Sequence, residues 1–431
     1  MKAAIIGGGI AGLSAAYDLA RAGAEVVIFE AADYVGGLSA GFKIPRWDWS
    51  VEHYYHHWFA TDDHVLGLID ELGLSHKVLF PRPVTAVFYE ERFYALDSPL
   101  AVLRYPGLPF LHRLWMGVVV AYLKYIARWR PLEKVTADSW IRRWMGDRAY
   151  QQLWKPLLVS KFGQHYHEVN MAWMWARFKA RTPRLGTFEG GFQAFLDAFA
   201  DRVRAMGVEM RLRTRVNHVE RRPTGGLRVS IEDGDVEVDQ CLATISPAVL
   251  AKIAPSLPVE YTNRLLGMKS MGAVVMILAL RQRLSEGGIY WHNLPKEAGF
   301  PFLSLVEHTN FISPAFFGGD HIVYCGDYLD PDHEYFSMQK EALLERFLPS
   351  FVRFNPNFKR DWVRDSWLFR TPYAQPVPPV NHSEVIPSIK TPITGLWLAS
   401  MSQVYPWDRG TNFAVEIARR TVREMLLEEQ S

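Results

Sequence analysis

The chain has 431 residues, of which 49% are hydrophobic and 22% are charged, and this length suits about two domains with buried cores. Its formal net charge is only +2, so the total charge gives no reason to expect nucleic acid as a partner. The two cysteines, Cys241 and Cys325, cannot build a disulfide framework or a metal cluster, and we expect a cytoplasmic location. No apolar run reaches the length of a transmembrane helix.

The first thirty residues alternate between strand, turn, helix and strand patterns. Residues 1–6 and 24–29 are short apolar runs that predict buried parallel strands, and residues 11–21 between them are typical of a helix packed on a sheet. The second run ends at Glu30, an acid in the position that binds ribose hydroxyls in dinucleotide-binding folds. This order predicts a Rossmann-like α/β unit with a parallel sheet.

The turn between the first strand and the helix is rich in glycine. Gly7 allows a sharp turn, Gly9 lets backbone N–H groups approach a pyrophosphate, and Gly12 lets the helix pack closely on the strand. The N-terminus of the helix adds a favourable dipole for the phosphates. The predicted cofactor contacts in this turn are Gly7, Gly9, Ile10, Ala11 and Gly12.

A second glycine pair, Gly36 and Gly37, follows Glu30 closely. The segment from Glu30 to Leu38 resembles the N-terminal signature of the flavin amine oxidase superfamily, which includes protoporphyrinogen oxidases and phytoene desaturases. The resemblance implies FAD as cofactor and a GR2-type fold, with the glycine pair along the pyrophosphate and ribityl chain. A basic residue often follows the pair in that superfamily, and Leu38 stands in its place here. The implied contacts are Glu30, Ala31, Gly36, Gly37 and Leu38.

The middle of the chain resembles the corresponding segment of the superfamily. Gly190 and Gly191 precede a predicted helix that runs to about Met206, and strand-like residues follow. Val216 matches the valine that contacts the adenine in that superfamily, although an ordinary core valine would give the same pattern.

The C-terminal region resembles the second FAD signature, a strand followed by a helix whose N-terminus points at the flavin. Residues 395–401 form the predicted strand, and a helix follows from Phe413 to about Glu428. The superfamily strand ends in Ala-Gly-Asp, whereas this chain has Ser400 and Met401 in place of the glycine and the aspartate. We expect Thr411 or Asn412 to cap the helix. No cysteine lies nearby, so the FAD is expected to be non-covalent. The implied contacts are Met401, Gly410, Thr411 and Asn412.

The predicted domains are interleaved along the chain. We expect an α+β substrate domain inserted into the Rossmann-like FAD-binding domain, with its first part mostly helical. The FAD-binding parts are 1–65, 187–265 and 385–431, and the substrate-domain parts are 66–186 and 266–384.

The segment 47–59 is dense in aromatic and histidine residues. The resemblance makes Glu52, His53 and Tyr54 candidates to face the flavin or the substrate, with His53 as the acid or base. A packed aromatic hinge is the alternative. The histidine spacing could also place His53, His56 and His57 on one helical face, but no further ligands complete a metal site, and we predict none.

Charged residues suggest where substrates and surfaces lie. Arg409 either binds an anionic substrate or contacts Asp408. Residues 104–148 contain nine basic and three acidic residues, a net charge of +6, around an apolar, aromatic stretch. Such a segment suits an anionic membrane surface or the entrance for an anionic substrate, and equally a helical domain whose apolar stripe is buried.

Three function classes remain open. The first is an FAD-dependent oxidase or desaturase that transfers hydride from an apolar or polycyclic small-molecule substrate to flavin N5. A second dinucleotide motif is absent, so the electrons would leave to oxygen, a quinone or a partner protein. The second class resembles UDP-galactopyranose mutase, which acts on a sugar nucleotide without net redox change. The third is a non-catalytic lipid carrier like the Rab GDP-dissociation inhibitors. We favour the first.

Overall fold

The computed structural model describes residues 1–429. Its strands, in chain order, are β1 Lys2–Ile6, β2 Glu25–Phe29, β3 Gly41–Phe42, β4 Val51–Glu52, β5 Trp58–Phe59, β6 Val78–Leu79, β7 Val84–Tyr89, β8 Arg92–Ala95, β9 Leu185–Phe188, β10 Glu209–Arg211, β11 Val216–Arg221, β12 Leu227–Ile231, β13 Gly234–Val238, β14 Gln240–Ala243, β15 Ser270–Leu280, β16 Ile289–Asn293, β17 Ser304–Glu307, β18 His321–Leu329, β19 Val363–Pro376 and β20 Leu396–Leu398.

The α-helices are α1 Ile10–Arg21, α2 Asp63–Glu71, α3 Pro99–Arg104, α4 Phe110–Tyr125, α5 Trp129–Leu132, α6 Ala137–Met145, α7 Asp147–Ala149, α8 Lys155–Phe162, α9 Met171–Ala180, α10 Phe192–Ala205, α11 Pro247–Ile253, α12 Val259–Leu266, α13 Lys340–Phe347, α14 His382–Val385 and α15 Thr411–Glu429.

A five-stranded parallel sheet in the order β10-β2-β1-β14-β20 carries the predicted cofactor motifs. Alternate residues of β1 point to opposite faces, as the period of a strand requires. Ala3 and Ile5 pack with α1, α10 and α15, whereas Ala4 and Ile6 pack against the β11-β12-β13 sheet, α11 and α12. This confirms the predicted α/β fold.

A seven-stranded sheet in the order β19-β15-β18-β17-β16-β7-β8 forms the second layer. It joins strands from residues 84–95 with strands from residues 270–376, which are far apart in the sequence. The sequence pattern missed the longest strand, β19, because it lacks regular alternation and contains Pro372. Pro372 is tolerated because β19 is an edge strand, and its pairing with β15 shifts register near that residue.

Helices α3 to α9 surround a separate core. Helix α4 turns Met116, Val119 and Leu123 into this core and leaves its opposite face exposed. Within residues 1–429, none of the helices is both long and apolar enough to cross a bilayer. The domain limits stay a prediction, but α2 crosses the predicted limit at residue 65 and packs with the core around α1 and α15.

Candidate cofactor and substrate site

The two glycine segments lie side by side at the carboxyl end of β1. Gly7 has φ of +107°, a conformation that favours glycine, and a Cβ on Gly12 would lie 1.9 Å from the Gly7 carbonyl oxygen. The Gly36 N–H donates to the Gly8 carbonyl at 2.9 Å, and Gly9 pairs with Gly36 as a parallel bridge. Both segments therefore form one glycine cradle in front of the N-terminus of α1.

Glu30 stands at the rim of this cradle. Its carboxylate accepts hydrogen bonds from the Gly8 N–H at 2.6 Å and the Ala32 N–H at 2.7 Å, and it lines a cavity of about 430 Å³. Ala31 beside it is exposed. The cradle, the carboxylate and the cavity together fit the pyrophosphate and ribose of FAD, because backbone N–H groups and an acid are the groups that bind them.

The cavity beside Glu30 continues along the second glycine segment. Gly37 and Leu38 form part of its wall, so the residue that replaces the usual basic side chain faces the cavity with an apolar group. The remaining wall is formed by Ala32, Tyr34, His53, Tyr54 and residues 368–370.

Val216 begins β11 and is almost completely buried. The chain just before it runs next to Glu30, because the Thr214 N–H donates to the Glu30 carbonyl at 2.8 Å. The predicted adenine contact of Val216 is compatible with this position and stays a prediction.

The start of α15 corrects the predicted helix cap. Asn412 Oδ1 accepts hydrogen bonds from the N–H groups of His64 and Val65, so this side chain binds the first turn of α2. Thr411 Oγ1 accepts from the Trp58 indole at 2.9 Å. Both side chains therefore bind protein groups. The groups that the start of α15 can present to a flavin are the backbone N–H groups that follow the exposed Gly410.

Ser400 and Met401 lie where the superfamily has glycine and aspartate. Met401 begins a short 3₁₀ turn, and the Ser400 side chain caps that turn by accepting from the Ser402 N–H. The Tyr373 hydroxyl bonds to Ser400 Oγ at 2.9 Å and to Ser402 Oγ at 2.8 Å. Hydroxyl groups thus order this turn without the missing carboxylate, and Tyr373 was not expected from its sequence context.

The prediction that Glu52 faces the flavin or the substrate stays a prediction, and the structure places this residue away from the two cavities. Its carboxyl group is buried, accepts from the Phe192 N–H at 3.1 Å and from the Tyr324 hydroxyl at 3.5 Å, and lines neither cavity described in this section. Burial raises the pKa of Glu52 to about 7. Glu52 binds the first turn of α10, which is a structural role.

His53 and Tyr54 do line cavities. The His53 ring stacks on Phe369 with centroids 4.1 Å apart and borders the larger cavity, and burial lowers its pKa to about 4. Tyr54 borders both cavities. The histidines at 53, 56 and 57 share no helix, because the segment between β4 and β5 bends and has no regular structure, and in the described part of the chain no three metal-binding side chains converge.

A second, narrower cavity of about 30 Å³ adjoins the first at Leu38 and Tyr54. Arg409 borders it, donates from Nε to Gln375 Oε1 at 3.0 Å and hydrogen-bonds to the Tyr328 hydroxyl. Asp408 does not bind the Arg409 guanidinium. Instead, Asp408 Oδ2 accepts from buried Arg177 at 2.9 Å, which leaves the Arg409 side chain directed to the cavity.

Sequence reasoning missed Asp327 and Tyr328, which border the same cavity at the end of β18. Asp327 is buried, and its Oδ1 accepts no hydrogen bond but lies 3.8 Å from Lys296 Nζ; burial raises its pKa to about 7. The signal in the sequence was an acid that interrupts an otherwise apolar strand, which is rare without a functional or ionic partner.

Comparisons with known proteins agree with this geometry. The family model described as flavin containing amine oxidoreductase matches residues 10–426. A 15-cis-phytoene desaturase of Narcissus pseudonarcissus is 24% identical over 288 residues, which cover 61% of this chain and 50% of that protein. The chain spans less than two thirds of the length of the curated relatives it matches.

Two solved structures share the fold over nearly the whole chain. The cyclohexylamine oxidase of Brevibacterium oxydans IH-35A has a TM-score of 0.76 at 15% identity and covers 100% of this chain and 99% of its own. A reduced UDP-galactopyranose mutase has a TM-score of 0.76 at 14% identity and covers 99% of this chain and 95% of its own. At these identities the likeness shows the fold alone.

Proposed function

This chain belongs to the flavin-containing amine oxidoreductase family, whose members bind FAD, and we propose that it is an FAD-dependent oxidase or desaturase. One observation carries the proposal: the cavity beside the glycine cradle and Glu30 adjoins a second cavity with apolar and aromatic walls. When bound, FAD supplies the hydride acceptor for a substrate C–H bond. The substrate is a small molecule with an apolar body, and the electrons leave to an external acceptor.

The side chains of the second cavity would orient the substrate and exclude water. Val275 and Ala273 supply apolar surface, and Tyr54 and Tyr55 supply aromatic walls. Loss of hydride from carbon leaves a proton to be removed from the neighbouring atom of the substrate. Asp327 is the one carboxyl group that borders this cavity in the described chain, and a pKa of about 7 suits a general base at neutral pH.

The visible absorption spectrum of the purified protein tests this proposal. We expect flavin bands whose chromophore is released by denaturation, bleaching by dithionite and recovery in air. Fast recovery supports oxygen as acceptor, and slow recovery supports a quinone or a partner protein. Failure to retain flavin, even after reconstitution with FAD, would contradict the proposal and favour the lipid-carrier alternative.

A second function is favoured by the guanidinium group of Arg409 in the same cavity. A diphosphate would bind there, as a mutase acting on a sugar nucleotide without net redox change requires. Incubation of the reduced enzyme with UDP-galactopyranose separates the two functions, because only a mutase converts the sugar ring without consuming an electron acceptor.

We further propose that the protein contacts an anionic membrane surface through the exposed face of α4. Leu111 and Tyr125 are each 74% exposed and Val118 is 57% exposed. The full exposed apolar set on and next to this helix is Phe110, Leu111, Leu114, Trp115, Val118, Tyr122, Tyr125 and Ile126. A contiguous apolar face with Trp and Tyr is typical of helices that lie in the membrane interface.

The basic residues around this face favour an anionic bilayer as its partner. Exposed basic side chains flank the helix on several neighbouring elements, as expected for contact with anionic lipid headgroups. They are Arg104, Arg128, Arg130, Lys134, Arg143 and Arg148.

Sedimentation with vesicles tests the membrane contact. We expect the wild-type protein to sediment with phosphatidylcholine vesicles that contain phosphatidylglycerol, and to be released by salt. A variant with Leu111→Ser, Val118→Ser and Tyr125→Ser should stay in solution. Its control carries Val259→Ser and Leu266→Ser, which remove exposed apolar side chains elsewhere. Equal binding of the two variants, or a wild-type dimer that the triple variant dissociates, would contradict the proposal.

A further inference from the structure

The carboxyl group of Asp327, which borders the second cavity, is approached by a lysine from the protein surface. Lys296 begins a short 3₁₀ turn, Lys296–Ala298, between β16 and β17. Its Nζ lies 3.8 Å from Asp327 Oδ1, and its side chain is 37% exposed whereas that of Asp327 is 9% exposed. The ammonium group therefore keeps contact with water while it lies close to the buried carboxyl group.

Burial means that this carboxyl group needs a nearby positive charge in order to ionise. Asp327 Oδ1 accepts no hydrogen bond from residues 1–429, and an ionised carboxylate without partners is strongly disfavoured in a protein interior. Burial is the largest influence on the pKa of Asp327 and raises it, and the charge of Lys296 is the largest of the influences that lower it. The ionised form of Asp327 therefore depends on Lys296 more than on any other neighbour.

The other titratable groups around Asp327 do not replace this charge. Burial holds the pKa of Lys161 on α8 well below its usual value, so its charged form is disfavoured. Arg409 borders the same cavity, but its guanidinium group is hydrogen-bonded to the Tyr328 hydroxyl. The phenol groups that face Asp327 carry no charge at neutral pH, because burial raises their pKa values; they are those of Tyr55 and Tyr335. Within residues 1–429, Lys296 is the one cation that lies within 4.0 Å of an Asp327 oxygen.

We propose that Lys296 is a positioning residue for Asp327: its ammonium group holds the carboxyl group in the ionised form that accepts a proton from the substrate. The proposal rests on the oxidoreductase function proposed for this site. When a substrate C–H bond gives hydride to the flavin, the bond to hydrogen on the neighbouring atom breaks, its electron pair stays on the substrate, and the proton forms an O–H bond with Asp327. Lys296 lines neither cavity, so it acts through Asp327 rather than on the substrate.

The titration of Asp327 in the folded protein can be measured without knowing the substrate. Asp327→Asn keeps the shape of the protonated carboxyl group but does not titrate. Because burial raises the pKa of Asp327 from its ordinary 3.8 to about 7, the folded wild type keeps a proton that the unfolded chain releases between these values. The stability of Asp327→Asn relative to the wild type should therefore rise with pH across this window and become constant above about pH 7.

Urea unfolding at a series of pH values, with FAD at a fixed saturating concentration, gives the pH at which this difference becomes constant. In the Lys296→Met background we expect that pH to be about 1 unit higher, because a nearby opposite charge lowers a carboxyl pKa by about 1–3 and exposure of the lysine weakens the effect. Lys296→Arg keeps the charge and should behave as the wild type does. The matched control is Lys252→Met, at an exposed lysine of α11, which should leave the pH unchanged.

The comparison of these backgrounds decides the proposal. A difference that becomes constant at the same pH in Lys296→Met and Lys252→Met would overturn it. An equally large displacement in Lys296→Arg would also overturn it, because the charge would then not be the cause. Lys296→Gln carries the same expectation and replaces Lys296→Met if that variant does not fold. A protein that neither retains nor takes up FAD would contradict the proposed function, whereas the titration of Asp327 can still be measured on it and decides the role of Lys296 separately.

Discussion

The two cavities adjoin at Leu38 and Tyr54, yet they are built from different kinds of structure. The larger is bounded by backbone turns and by Glu30, within the first 54 residues, with residues 368–370 opposite. The smaller is bounded by side chains from β15, β18, β19 and the loop before α15, together with Leu38 and residues 54–56. The first is a place where the main chain approaches a ligand, and the second is a place where side chains select one.

The charged side chains of the two cavities also differ. The Glu30 carboxylate in the larger cavity holds two backbone N–H groups, so it is stabilised before any ligand arrives. Lys161 behind the smaller cavity is held near other cations with a depressed pKa. The contrast indicates that the protein itself stabilises the carboxylate of the cofactor side, whereas burial and the neighbouring cations disfavour the charged form of Lys161.

Of the proposed variants, Gly12→Ala should disturb the glycine cradle and FAD binding most severely. A Cβ at this position would lie 1.9 Å from the Gly7 carbonyl oxygen, so α1 must move away from β1. We expect a loss of at least about 3 kcal/mol in the free energy of unfolding and loss of FAD. Flavin absorbance per protein and denaturant unfolding measure both.

The control for Gly12→Ala is Gly67→Ala within α2, where an added Cβ meets nothing within 4 Å. That change should leave FAD content unchanged and stabilise the protein by up to about 1 kcal/mol, because alanine favours helices. Similar FAD loss in both variants would show that the cradle is not the cause.

Glu30→Ala removes the acceptor of the Gly8 and Ala32 N–H groups and the predicted ribose contact. We expect FAD affinity to fall about 10–100-fold, which is the range for lost hydrogen bonds to a charged group. Fluorescence titration of the apo protein with FAD measures it. Glu25→Ala, at the exposed start of β2, the strand that Glu30 follows, is the control. Unchanged affinity in Glu30→Ala would refute the ribose assignment.

The difference between the cavities also explains how much of the candidate site could be predicted from the sequence. Residues that act through local backbone geometry, such as Gly7 and Gly12, are neighbours in sequence, and strand, turn and helix patterns reveal them. Lys161 and Tyr328 are in contact only because α8 packs on β18, and the sequence of neither segment predicts this contact. Asn412 was expected to cap its own helix, but tertiary packing presents the start of α2 to it.

The variant Glu52→Gln distinguishes a structural role of Glu52 from a catalytic one. Burial raises the folded-state pKa of Glu52 from an ordinary value of 4.5 to about 7, so the folded protein keeps a proton between these values that the unfolded chain releases. The contribution of Glu52 to stability therefore falls as pH rises from about 4.5 to 7 and is constant above.

The glutamine variant lacks this titration. Its stability relative to the wild type should rise by about 3 kcal/mol across the same window, because each unit of pKa difference corresponds to about 1.4 kcal/mol. Urea unfolding at a series of pH values measures the difference. A flat difference between wild type and variant would show that Glu52 is not held in its protonated form.

His53→Phe should have the smallest effect, and it tests the predicted acid or base role directly. The ring stacks on Phe369 at 4.1 Å and meets Tyr34 edge-on at 5.4 Å, and phenylalanine keeps these contacts. With a pKa of about 4, the imidazole is neutral at pH 7 and is a poor proton donor. We expect a stability change below about 1 kcal/mol and turnover within about threefold of the wild type, whereas His53→Ala loses stability because it empties the stack. Loss of turnover in His53→Phe with FAD fully bound would restore His53 as the proton-transfer group and move the chemistry toward the larger cavity.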